Sequence, residues 1–339
     1  MRPLTLRRLL LTCAALSAVL LACVVLALKL GAVPISVTDL VWNLGRVATG
    51  QSDQLPTEYR LIVFELRLPR ILLGVLVGAA LSVSGASFQA LLRNPLADPY
   101  VLGVSSGAAL GAILAMIAAP QLGLVTPLGA FLGAMATIAA VYFLGRRDGH
   151  LDSTTLLLGG IISASFLSAM IIFLMTTLAG RDLRGMVFWL MGDLSTPLPV
   201  GLRWIFTAGL VIGGGAIYTT AADLNLLLTG EQEAVHLGVD VTRVKLVVYV
   251  SASLLTALAV SASGAIGYIG LLVPHAMRLL FGSDYRLLLP ASALGGAIAV
   301  VLSDTLARTI VAPTELPVGA MTAMIGAPVF IYLLRRGVR

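Results

Sequence analysis

The chain has 339 residues, of which 58% are hydrophobic and only 11% charged, and its mean hydropathy is +1.00. Soluble domains carry about 25% charged residues, so the composition excludes a soluble globular fold and predicts an all-α integral membrane protein. The formal net charge is +6, but the basic residues are scattered and lysine is confined to Lys29 and Lys245, which excludes a nucleic-acid tract. The apolar runs are helix-length rather than short alternating strands, which excludes a β-barrel.

Arg2, Arg7 and Arg8 precede the first apolar run, which continues past Cys23 to Leu28. The order is that of a signal peptide, but the length of the run predicts a retained first helix. Cys13 and Cys23 both lie on it, too far apart to bridge. Ten spans of about the length a bilayer core needs are predicted, at 9–30, 68–92, 101–119, 122–145, 155–179, 200–221, 244–262, 264–281, 287–308 and 317–334. Together they make a single membrane domain over 1–339. Lysine and arginine lean toward the loops that lie inside when both termini are placed inside.

An outer loop, Gly31 to Leu66, reads as long and polar, with Trp42 as an interfacial anchor. The stretch Arg67 to Gly111 then reads as two membrane helices joined by a tight polar turn. Pro69 suits the first turn of the first helix, and Arg93, Asn94, Pro95, Asp98 and Pro99 break the run. Gly74, Gly78, Ser82 and Ala86 recur every fourth residue, and so do Gly103, Gly107 and Gly111. Small residues at that spacing line one helix face and let another backbone approach closely.

A second outer segment, 180–199, contains Met186 to Met191, too short to span. It lies at the interface, caps a cavity, or is an ordinary amphipathic loop helix. The one long inner connection is 222–242. Thr229-Gly230-Glu231-Gln232 fits a capping box, with a short helix following and Gly238 ending it. Such a helix is a docking element for a soluble partner or a plain connector. The seventh and eighth spans form one apolar block that breaks at its weakest helix former, Ser261 to Gly267, leaving an irregular eighth span.

Ionisable residues are nearly absent from the spans. Asp304 sits four residues before Arg308, the geometry of a local ion pair. No two histidines are placed as metal ligands. Neither lysine follows a glycine, so no Walker A loop exists and any energy from ATP must enter through another subunit.

Several motifs, in order along the chain, resemble the FecCD-type permease family of iron–siderophore, haem and cobalamin importers. They are Arg67-Leu68-Pro69-Arg70, Asn94-Pro95-Leu96-Ala97-Asp98-Pro99, Leu102-Gly103-Val104-Ser105-Ser106-Gly107, Gly264-Ala265-Ile266-Gly267-Tyr268-Ile269-Gly270, Asp304-Thr305-Leu306-Ala307-Arg308 and Glu315-Leu316-Pro317. The resemblance implies a ten-helix permease of the type II ABC importer fold, working as a homodimer in the bacterial inner membrane. It implies two ATPase subunits on the inner face, a substrate-binding protein on the outer face, and a metal chelate as cargo. No cofactor is implied for this chain; ATP and Mg would sit on the partner ATPase. Arg67, Arg70 and Arg308 match the arginines that meet acidic residues of the binding protein; the alternatives are that Arg67 and Arg70 snorkel to lipid phosphates and that Asp304 occupies Arg308. Gly230, Glu231, Ala234, Leu237 and Gly238 match the ATPase-coupling stretch. Ser153, Thr154 and Thr155, where the fifth span begins, form an inner gate or simply cap that helix, while Gly267 and Gly270 shape the cavity or merely pack. The competing reading is a secondary transporter driven by an ion gradient, against which the near absence of intramembrane acids weighs.

Overall fold

The structure is a computed structural model that describes residues 4–31, 33, 35–51, 55–119, 121–147, 150–177, 183–196 and 198–335. Among these, seven helices are long and apolar enough to cross a membrane, and three shorter apolar helices complete the predicted ten. The first is α1 (Leu6–Lys29), capped by Thr5, whose side chain accepts the Arg8 N–H.

The expected polar loop before the second span is largely helical. It holds α2 (Val37–Ala48), with Trp42 exposed and Arg46 stacked over its ring at 5.5 Å. Next come α3 (Thr57–Arg60) and a π-helical turn (Leu61–Arg67), which run without a break into α4 (Leu68–Leu91). Pro69 therefore does not start the helix. The wide turn before it, in which the Leu68 N–H reaches back to Val63 O, accommodates a residue that has no N–H to give.

Helix α4 is the hub. It is buried on nearly all sides, between α12 (Val241–Ser263), α13 (Ile269–Phe281) and α14 (Tyr285–Thr309). Its glycines make this possible. A Cβ on Gly78 would collide with the Gly296 carbonyl of α14, and one on Gly85 with the Gly270 carbonyl of α13. Gly74 lies at ordinary contact distance, 3.6 Å from Leu194 and Val300. A second tight pair joins α5 (Val104–Ala118) to α6 (Val125–Gly145), where Gly107 and Gly111 meet Gly133 and Gly129.

The turn between α4 and α5 is not the expected tight one. A short 3-10 helix (Pro99–Leu102) folds back into the bundle and sets Pro99 against Gly270, at the level of Leu81 on α4. Gly103, in a left-handed conformation with φ of 74°, then starts α5 beside Gly160 of α7 (Ser153–Thr177). A two-residue ladder pairs Arg146 with Leu151 before α7.

After α7 the segment containing Met186 to Met191 forms α8 (Leu183–Leu190), laid against α5 and α7 through buried Met186. Residues 178–182 and 197 of that loop lie outside the described residues. Helix α9 (Val200–Thr219) follows, with α10 (Ala221–Leu227) and α11 (Glu231–His236) beyond it. The predicted break after α12 is present: 264–268 is not helical, and α13 has only 13 residues with Pro274 inside. Helix α15 (Val318–Arg335) ends the described chain.

The glycine contacts predict a specific sensitivity. Gly85→Val should lower the thermal unfolding midpoint of the purified chain, since overpacking against backbone costs about 1–3 kcal/mol or more. Gly215→Ala, where an added Cβ meets nothing within 4 Å, should leave the midpoint unchanged.

Candidate functional site

The bundle has two polar ends and one irregular middle. At the first end, Arg67 closes the last turn of α1. Its guanidinium donates to Leu28 O at 2.6 Å, a carbonyl that the helix C-terminus leaves open, and to Val33 O in the segment that follows. One turn on, Arg70 donates through Nε to Asp304 Oδ1 at 2.9 Å and through Nη1 to Glu315 Oε2 at 2.7 Å. Arg308 Nε lies 3.0 Å from Asp304 Oδ2, the expected i,i+4 pair. Its angle makes this a charge contact rather than a directed hydrogen bond, because the same Nε has no hydrogen-bond acceptor.

The three arginines are thus brought together, but as buried residues with internal partners rather than as free cations. Arg67, Arg70 and Arg308 are each under a tenth exposed. Reversing Arg70 to a carboxylate would set it against Asp304, and removing one member of a buried ion pair costs about 3–5 kcal/mol. They still share a cavity of about 320 Å³ at this end, lined also by Gly31, Ser195 and Glu315.

At the opposite end the capping box does not form. Gly230, at φ of 136°, is the residue preceding α11, and it has no side chain to cap with. Thr229 instead donates its hydroxyl to Leu226 O and so closes the end of α10. Gly238 ends α11 in a left-handed conformation, with Val239 N–H bonded to Ala234 O. Ala234 is fully buried and roots the helix, whereas Leu237 and Val235 stand more than half exposed. Glu231 is held by Lys245 Nζ of α12 at 2.7 Å, with Arg93 at 3.8 Å. Lysine 245 was invisible as a partner, being fourteen residues along the chain, though its position inside an apolar span was a signal.

Ser153 and Thr154 line a second cavity of about 320 Å³ together with Glu231, Asp152, Arg93 and Lys245. Thr155 is not part of it. Its N–H and hydroxyl both donate to Asp152 Oδ1, at 2.8 and 2.5 Å, so it serves the start of α7. A further network fastens α10 to α14: Asn225 donates to Asp284 Oδ1 at 2.9 Å and accepts the Tyr285 N–H at 2.9 Å. Hydrogen bonding from Arg286 first, and also from Asn225, holds the Asp284 carboxyl down at about 2.

In the middle, the re-entrant 3-10 helix meets the unwound 264–268 segment. The Tyr100 hydroxyl donates to Ile266 O and accepts the Ile266 N–H, both at 3.1 Å. Asp98 Oδ1 accepts the Tyr100 N–H at 2.9 Å and fixes that turn. Gly267 faces open space, but Gly270 does not: a Cβ there would meet Pro99 and Leu81 O, so Gly270 is a packing residue. Among the described residues, no group of three or more His, Cys, Asp or Glu side chains could hold a metal ion.

A model of the FecCD transport family matches residues 19–336. A cobalamin import system permease protein, BtuC, from Halobacterium salinarum is 44% identical over 310 residues, covering 90% of this chain and 82% of that protein. A hemin transport system permease protein, HmuU, from Yersinia pestis is 43% identical over 287 residues, covering 81% and 83%. A solved structure described as an inward-facing conformation of a metal-chelate type ABC transporter has a TM-score of 0.81 at 30% identity, over 97% of this chain and 100% of that one. With its spans, its mid-bundle break and its polar ends all in place, the chain belongs to the FecCD transport family.

Proposed function

We propose that this chain is the membrane permease of an ATP-binding-cassette importer that carries a metal chelate, of the iron–siderophore, haem or cobalamin kind. The observation that carries the reading is the chemical polarity of the bundle. One end holds an arginine-lined cavity, suited to an acidic surface. The other holds a rooted helix with an exposed apolar tip, suited to a soluble subunit. Between them, two irregular segments meet inside the bundle, which is where membrane proteins line a pathway.

In this reading the arginine end faces outward and receives a substrate-binding protein. The α11 end and both termini face the cytoplasm. Two copies of the chain pair about the pathway, each seated on an ATPase subunit that binds ATP and Mg. Glu231, clamped by Lys245, and Ala234 fix α11 to the bundle, so a push on Leu237 and Val235 moves α12 with it. Ser153 and Thr154, in the same cavity as Glu231, lie where such a movement would first be felt. Arg67, Arg70 and Arg308 line the outer cavity and leave it with a net positive charge to attract an acidic surface.

Three outcomes are expected. Liposomes holding the chain with its ATPase and binding protein should accumulate a metal chelate only when ATP is supplied on the ATPase side, and the chain alone should accumulate none. Accumulation by the chain alone under an ion gradient would overturn the reading. Leu237→Glu changes an exposed tip, so it should leave the unfolding midpoint in place while reducing ATPase co-purification at least tenfold. Retention of the ATPase at wild-type level would make α11 a plain connector. Attachment of the binding protein, followed by surface plasmon resonance, should weaken steeply as salt rises past about 0.1 M, where charges are screened beyond about 10 Å. A salt-independent affinity would remove the arginine cavity from the docking surface.

A further inference from the structure

We infer that Glu315 is an internal stand-in for the carboxylate of a docking partner, which the partner displaces from Arg70. The inference rests on the docking reading above and deepens it by saying what occupies the site beforehand.

The two carboxylates at Arg70 are not equivalent. The Asp304 side chain is only 3% exposed and is shared between Arg70 and Arg308, so it is the permanent counter-charge of the interior. The Glu315 side chain is 48% exposed and, among the described residues, pairs only with Arg70, through Nη1 at 2.7 Å. It also lines the cavity with Arg67, Arg70 and Arg308. Three guanidiniums against two carboxylates leave that cavity with one net positive charge while Glu315 is in place, and two when it is not. An incoming carboxylate that takes the same Nη1 would replace one ion pair by another of the same kind. The exchange is therefore close to balanced, as a reversible docking event requires.

Displacement would also be felt further in. Glu315 lies in the short segment between α14 and α15, tied to α14 by Leu316 N–H on Ala307 O at 3.1 Å. Three residues on, Val318 N–H is bonded to Gly192 O at 3.0 Å, and Asp193 N–H to Ser263 O at 2.7 Å, next to the unwound 264–268 segment. Release of Glu315 from Arg70 thus loosens a segment that continues directly into the neighbourhood of the mid-bundle break.

The test uses the full chain in nanodiscs and a fluorescent oligoglutamate peptide as the acidic probe. Fluorescence anisotropy is read at low and at high salt. Glu315→Gln should bind the probe roughly two- to fivefold more tightly than wild type at low salt, the range a half-exposed ion pair supports, with the gain lost at high salt. Glu315→Asp, which keeps the charge, should bind like wild type. An unfolding midpoint measured on each variant separates this from simple loosening. If wild type binds with salt sensitivity but Glu315→Gln binds equally or more weakly, the stand-in is overturned and the docking surface survives. If neither binds the probe at low salt, the stand-in and the docking reading both fall.

Discussion

A backbone N–H or C=O without a partner inside hydrocarbon costs several kcal/mol, and the architecture follows from where that cost is avoided and where it is met by something other than a helix. Nearly everywhere it is avoided by helix. At 264–268 the chain leaves the helix, and there the Tyr100 phenol serves both polar groups of Ile266 at once. The break is therefore not only a local property of α12 and α13. It depends on a residue more than 160 positions away, delivered by a turn that folds back into the bundle. Asp98 holds that turn, and Pro99 against Gly270 sets its depth.

The parts of this arrangement that follow from hydropathy and period were legible in the sequence. The spans were, because helix-length apolar runs have one outcome in lipid. A break in this region was, because Ser-Gly-rich sequence is a poor helix former, although Ser261 to Ser263 stay in α12 and the chain leaves the helix only at Gly264, where φ is 65°. The Asp304–Arg308 pair was, because i,i+4 neighbours on a helix meet whatever surrounds them. What escaped were partnerships set by packing. Nothing local marks Lys245 as the holder of Glu231, Tyr100 as the clamp on Ile266, or Glu315 as a second acid on Arg70. The capping box failed for a physical reason: Thr229 had a competing use at the end of α10, and its hydroxyl went there. Pro69 failed as a helix start because a π-helical turn let it sit inside one continuous helix.

The arginines are grouped by the fold and held by it. Arg67, Arg70 and Arg308 do converge on one cavity, yet each is buried and committed. Arg67 serves the carbonyls at the end of α1. Arg70 and Arg308 divide the two oxygens of Asp304. The cluster carries one net positive charge, and of its two carboxylates only that of Glu315 faces solvent.

Helix α4 joins these two kinds of chemistry. Its first turn carries Arg70, and near its last turn Gln89 accepts from Arg278 at 3.0 Å and donates to Leu271 O at 3.2 Å. Arg278 also lies 3.4 Å from the Tyr285 hydroxyl, and the Tyr285 N–H is bonded to Asn225 of α10. A contiguous chain of polar contacts therefore runs from the α10–α11 segment to one end of α4, while the ion-pair cluster holds the other end. Because α4 touches its neighbours backbone to backbone at Gly78 and Gly85, it has little room to bend between those points. A displacement imposed at either end is therefore passed on as movement of the helix against its neighbours α12, α13 and α14, and α12 and α13 are the helices that flank the unwound segment.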